Sequence, residues 1–133
     1  MPTIDLNADV GEECGDDAAL FTVVTTASVA AGGHAGGGQV LLETLRRAVA
    51  AGVTVGAHPS YPDRAGFGRV SRAGEHGPAG IAGFVREQVI RVAQACADEG
   101  ATLAHVKAHG ALYADAAHDG ELASAFLDGV AAA

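Results

Sequence analysis

Four times along the chain a short strand-like run gives way to a helical stretch, with Gly or Pro marking the joins. The runs cover residues 3–9, 27–34, 53–60 and 102–110. Between them, Leu41, Leu42, Leu45, Ala48 and Val49 recur at helical spacing and predict a helix over 39–51, with Gly52 at its C′ position. A longer helix is expected over 78–99, with Pro78 at its first position and Ile81, Phe84, Val85, Val89, Val92 and Cys96 on one face. A short helix over 16–24 opens on an acidic pair, and a last one starts at the N-cap Asp119. Strand alternating with helix reads as an α/β chain with a parallel sheet. Right-handed crossovers then leave a barrel or an open doubly wound sheet.

Side-chain alternation favours the barrel. Successive residues of a strand point to opposite faces. In the first run Asp5, Asn7 and Asp9 oppose Ile4, Leu6 and Ala8; in the fourth His105, Lys107 and His109 oppose Ala104, Val106 and Ala108. Thr54, Gly56 and His58 share one side of the third run, and Ser28, Ala30, Gly32 and His34 one side of the second. A doubly wound sheet is covered by helices on both faces and has near-continuously apolar strands. Here each strand has one aliphatic face and one polar or very small face, as a barrel with a polar lumen requires. The last polar residues of the runs, Asp9, His34, His58 and His109, fall at the C-terminal strand ends, where α/β barrels build their active sites.

Composition narrows the partners. The 133 residues carry a formal charge of −8, which argues against nucleic acid as a partner, since phosphate binding needs clustered Lys and Arg. No apolar run reaches the roughly 20 residues that span a bilayer, and the acidic N-terminus has no h-region, so a cytoplasmic location is the expectation. Cys14 and Cys96 fit no metal or redox spacing, and Cys96 falls on an apolar helical stripe. His76 and His118 read as solvated loop residues, and His105, deeper in the lumen than Lys107, as a lumen filler.

The segment HVKAH is not a metal motif by itself. In an extended chain His105 and His109 stand about 13 Å apart, at roughly 3.3 Å per residue. Two nitrogens on one zinc, each bound at about 2.0–2.1 Å, lie within about 4 Å of each other. A divalent metal would have to be gathered across strands, with Asp9, His34 and His58 as the candidates. Lys107 on a lumen face needs a carboxylate, either Asp5 or Asp9 of the protein or one on a substrate. The glycine runs GGHAGGG and AGFGR match neither a Walker A loop nor G-x-G-x-x-G.

The ordered motifs IDLNADVGE, GGHAGG, GAHPSYPDRAGFGR and HVKAHGALY resemble those of the LamB/YcsF family, and they run from Ile4 to Tyr113. The resemblance implies an irregular (β/α) barrel of the glycoside hydrolase/deacetylase type, of which this chain holds about the N-terminal half, four parallel strands in a single domain over 1–133 that is truncated at its C-terminus. It also implies the A subunit of an ATP-dependent 5-oxoprolinase, which opens 5-oxo-L-proline to L-glutamate with subunits B and C. The family's polar positions fall on Asp5, Asn7, Asp9, Glu12, His34, His58, Asp63, Arg69, Lys107, His109 and Tyr113. Ser28, Ala31, Gly33 and Gly37 replace the family's usual Asn, Cys, Phe and Asp; Ala108, Ala114 and Val70 replace Pro, Asn and Arg.

On that basis Asp9, Glu12, Lys107 and His109 are the expected catalytic residues. Asp9 or His109 would be the base, and Glu12 a second acid/base. Asn7, Arg69 and Tyr113 are expected to bind substrate, with Lys107 and Arg69 holding a carboxylate or phosphate. ATP is expected on the partner subunits. Four strands do not close a barrel, so pairing with a second copy is a further expectation. Two other readings stay open: a metal-dependent deacetylase or amidohydrolase, and an inactive, shortened binding subunit.

Overall fold

A computed structural model describes residues 1–133. The elements are β1 (Asn7–Val10), α1 (Asp17–Leu20), β2 (Thr26–Ala30), α2 (Gly38–Ala50), β3 (Thr54–His58), α3 (Ala73–Asp98), β4 (His105–Val106), α4 (Gly110–His118) and α5 (Gly120–Ala131). The strands form one parallel sheet in the order β1-β2-β3-β4, and it is not closed. Each crossover adds the next strand on the same side of the last, with no reversal of direction. That is barrel winding rather than the doubly wound alternative.

The register aligns the polar residues into rows. Asp9, Ser28, Gly56 and His105 are paired across the four strands, as are Asn7, Thr26 and Thr54 across the first three. The next residues, Val10, Val29, Ala57 and Val106, form the apolar row on the other face. Leu41 and Leu45 of α2 and Ile81, Val85, Val89 and Val92 of α3 join Val10, Val29, Val55 and Ala57 in a continuous core. Burying that face drives folding at about 25 cal/mol per Å² of apolar surface.

The sheet is strongly curled. Three interstrand gaps of about 4.8 Å would separate β1 from β4 by about 14 Å in a flat sheet. Yet Asn7 Nδ2 of β1 lies 3.4 Å from His105 Nε2 of β4, across the concave face. Gly56 makes this approach possible from below, because any side chain there would occupy the volume of the His105 ring.

Four elements differ from the sequence reading. β1 starts at Asn7, not residue 3, although Leu6 still bonds to Thr25 and Thr26. β4 is reduced to two residues, but Ala104 N, Lys107 N and His109 N keep donating to the carbonyls of Val55, Ala57 and Pro59, each at 2.9 Å. The segment after His109 turns directly into α4, a helix that the strand-like pattern through residue 110 concealed. The helix expected from Pro78 begins instead at Ala73, and is broken at Gly77, whose φ of 63° ends the first turns before Pro78 starts the long segment. His76 therefore sits in a helix rather than in a loop, 5.2 Å from the Phe84 ring and 6.1 Å from Tyr61 between centroids. His118 is exposed at the last residue of α4.

The expected caps are in place at two helices. Asp16 accepts from Ala19 N at 3.0 Å, and Asp119 accepts from Glu121 N and Leu122 N at 2.9 and 3.2 Å. The loop after β3 is anchored on α3 by Gln88, which is buried. Its Oε1 accepts from Ser60 N at 3.1 Å, and its Nε2 donates to Ser60 O at 2.8 Å. Gly33 leaves room for this clasp, since a methyl group there would overlap both Ser60 Oγ and Gln88 Oε1. Tyr61, fully buried, donates to Asp115 Oδ2 of α4 at 2.6 Å. Burial and that carboxylate push its hydroxyl well above the usual phenol range.

Candidate active site

The C-terminal ends of the four strands gather one compact polar cluster. Asp9 comes from β1 itself, and Glu12 from the turn beyond it, where Gly11 (φ 71°) redirects the chain. His34 follows β2, His58 ends β3, and His109 follows β4. His34 and His58 are almost completely buried, at 2% and 1% exposure, and His109 is 7% exposed. So much imidazole in a dry setting requires polar partners.

Those partners are specific. Glu12 Oε1 lies 2.7 Å from His34 Nε2, 3.5 Å from His109 Nδ1 and 3.8 Å from His58 Nε2. His58 Nε2 is 3.3 Å from Asp9 Oδ2 and 3.1 Å from His109 Nδ1. The outer nitrogens are tied to backbone: His58 Nδ1 donates to Lys107 O at 2.6 Å, and His109 Nε2 donates to Phe67 O at 2.8 Å. These two bonds assign the tautomers, leaving His58 Nε2 and His109 Nδ1 without a proton when the rings are neutral. His34 Nδ1 is buried with no hydrogen-bond partner.

Phe67 frames the cluster. Its backbone has φ 52°, an uncommon conformation for a side chain of that size, and this aims its carbonyl at His109. Its ring meets His34 and His109 edge-on, at 5.0 and 5.4 Å between centroids. The Arg69 guanidinium lies 5.3 Å over that ring, so Arg69 stands at the outer rim rather than among the histidines.

Lys107 donates to Asp9 Oδ1 across the concave face, from one edge of the sheet to the other. Both side chains remain partly exposed. Burial alone would raise the Asp9 carboxyl; hydrogen bonds from His58 and Lys107, and their charge, outweigh it and hold the group well below the usual carboxylate range. Glu12 behaves alike: burial opposes, and the bond and charge of His34 with its neighbouring histidines prevail, lowering it. His109 is lowered chiefly by burial, with the Phe67 carbonyl pulling the other way. Asp9, His58, Lys107, His109, Gly110 and Tyr113 line a cavity of about 430 Å³ open to solvent.

The expected residues thus fall into two groups. Asp9, Lys107, His58, His109 and Tyr113 meet at this cavity, with Glu12 and His34 behind the histidines. Asn7 sits deeper, donating to Thr26 Oγ1 at 2.8 Å and facing His105 and Ser28. His105 is part of that lumen network, with Ser28 Oγ 3.2 Å from its Nε2. Of the expected metal candidates, His34 and His58 lie in the Glu12–His34–His58–His109 group, whose ligand atoms are all within 4.8 Å of one another; Asp9 is engaged by Lys107 at its edge. Sequence reasoning missed Phe67, for which the only signal is a bulky residue between Gly66 and Gly68, and Gln88, whose polar side chain occupies a buried position of a helix.

A curled parallel sheet with helices on its convex face and a carboxylate–lysine–histidine cluster at its strand ends defines this chain as a partial α/β barrel. The chain belongs to the LamB/YcsF family, whose profile matches residues 4–133. It is 47% identical to the A subunit of 5-oxoprolinase from Chloroflexus aggregans (strain MD-66 / DSM 9485), an alignment that covers 99% of this chain and 54% of the relative. The structure superposes on the crystal structure of the lactam utilization protein from Thermus thermophilus with a TM-score of 0.95 at 41% identity, covering 98% of this chain and 54% of that one. The chain therefore spans about half the length of both. No helix is long and apolar enough to cross a membrane.

Proposed function

We propose that this chain supplies the A-subunit site of an ATP-dependent 5-oxoprolinase, opening the lactam of 5-oxo-L-proline to L-glutamate with B and C partner subunits. The observation that carries the reading is the 47% identity to the A subunit of a 5-oxoprolinase, extending over nearly the whole chain. The site chemistry is compatible with it. A lactam resists water, so ATP would phosphorylate the amide oxygen and make the carbon electrophilic. Water would add there, the ring C–N bond would break with the nitrogen leaving as the amine, and hydrolysis of the acyl phosphate so formed would release phosphate and glutamate. ATP itself is assigned to the partner subunits, because no phosphate-binding motif occurs in this sequence.

The residues divide the work by their electrostatics. Lys107, exposed to the cavity, faces the substrate carboxylate or the developing phosphate, with Arg69 at the rim as a second cation. Asp9 is too acidic to accept a proton readily; its part is to hold Lys107 and orient His58. The proton acceptor is His109, neutral through burial and in contact with His58, and Glu12 balances the charge that develops on the pair. Tyr113 at the cavity mouth orients substrate.

Reconstitution tests the reading. This chain is mixed with purified B and C subunits, and 5-oxoproline-dependent release of ADP and glutamate is followed. Turnover that falls by about 10²-fold or more in Lys107→Ala supports the assignment. Absence of glutamate release from the complete mixture, with partners proven active on a full-length A subunit, overturns it.

A further inference from the structure

His58 and His109 present to each other, at 3.1 Å, the ring nitrogens that carry no proton when both rings are neutral, with a carboxylate oxygen of Glu12 within 3.8 Å of both. Two lone pairs do not attract, and burying them face to face has a cost unless something positive, a proton or a cation, lies between. The backbone fixes this arrangement from outside. Lys107 O and Phe67 O take the outer N–H groups, so neither ring can relieve the contact by changing tautomer without losing a bond.

We propose that His58 Nε2, His109 Nδ1 and a Glu12 oxygen form a three-ligand site for a zinc-class divalent cation. Bonds of about 2.0–2.2 Å in tetrahedral geometry place ligand atoms roughly 3.3–3.5 Å apart. The observed separations of 3.1, 3.5 and 3.8 Å bracket that value. Ligating histidines characteristically donate their other N–H to a backbone carbonyl or carboxylate, and both rings do so here. Two imidazoles with one carboxylate suit zinc and its neighbours rather than magnesium or calcium.

His34 is the brace, not a ligand. Its Nε2 donates to Glu12 at 2.7 Å, which orients the carboxylate as an outer-sphere partner would. The donor set differs from the Asp9, His34 and His58 expected from strand ends. Asp9 is engaged by Lys107, and His34 lacks the backbone bond that orients the other two rings. A cation here would occupy the lone pair of His109 Nδ1, so in the loaded chain it would supply Lewis acidity beside Asp9 and Lys107 in place of His109 as proton acceptor.

The test needs neither substrate nor partner subunits, so its failure and that of the lactam reading are distinguishable. The chain is stripped with a chelator and titrated with Zn²⁺. Uptake is measured by plasma mass spectrometry after gel filtration, and the ring nitrogens are followed by long-range ¹H–¹⁵N correlation. One bound equivalent, with shifts at His58 Nε2 and His109 Nδ1, is the expected result. Glu12→Gln and His58→Ala should weaken binding by more than about 100-fold, His34→Ala by about 10–100-fold, and His118→Ala not at all. No uptake by the unsubstituted chain, shifts at the opposite nitrogens, or unchanged affinity in folded Glu12→Gln would each overturn the proposal.

Discussion

The imidazole rings of His34 and His109 lie face to face, 3.6 Å between centroids and 4° from parallel. They come from the ends of β2 and β4, which are not neighbours in the sheet, and His58 from the intervening β3 meets both edge-on. The stack is therefore a packing device that joins alternate strands at their C-terminal ends. The Phe67 ring closes it from the loop side.

Removing one plate of that stack tests what holds it. His34→Ala should lower stability by about 2–4 kcal/mol, through the void it leaves and the Glu12 oxygen it strips of a partner. His34→Phe keeps the ring and loses only the hydrogen bond, so it should cost less. Urea denaturation of the three proteins decides the matter. An alanine variant as stable as the phenylalanine variant would mean that the bond to Glu12, not the stack, carries the stability.

Gly56 and His105 form a steric pair on the lumen floor, where the ring covers the glycine directly. Gly56→Ala is expected to cost about 1–3 kcal/mol by forcing His105 off its contacts with Asn7 and Ser28. Adding His105→Ala to that variant should recover part of the loss, giving a coupling well outside simple additivity. Additive losses in a double-mutant cycle would show that the clash is relieved elsewhere.

His105 also gives the chain an acid sensitivity distinct from the cluster above it. Burial lowers its pKa; Asp5 opposes this, while Lys107 and His58 reinforce it. Depressed in the folded state, the group takes up its proton first in the unfolded chain, so stability is lost as pH falls below the ordinary histidine value of about 6.5. The titration midpoint of His105, followed by NMR, should lie below that value, and denaturation midpoints should drop across the same window. A midpoint at or above 6.5 would show that the Asp5 charge dominates.

Much of this molecule is legible in the sequence, because the polar face of each strand has a period of two and cannot be hidden. Asp9, Lys107 and His109 could be placed at strand ends from that period alone, and Leu41 and Leu45 on the core face of α2 from theirs. Other features depend on contacts between distant segments. That Glu12 reaches the histidines follows from the turn at Gly11, and that Phe67 offers its carbonyl follows from a single left-handed residue. The helix α4 is hidden because HGALY carries no cap of its own; His109 stands at the N-cap without a side-chain bond. Tyr61 and Asp115 explain the placement of α4, but nothing in the sequence pairs residues 54 positions apart.

The contacts that span the concave face have a temporal consequence. Asp9 with Lys107, and Asn7 with His105, each join residues 98 positions apart, and both are polar. Hydrophobic burial on the convex face binds each strand to its sequential neighbour long before such distant polar groups can meet. The lumen pairs are thus expected to form late, after the rate-limiting barrier. Lys107→Met should leave the refolding rate nearly unchanged and act on unfolding alone, so the site side of the sheet governs how long the folded chain lasts and the helical side how fast it is reached.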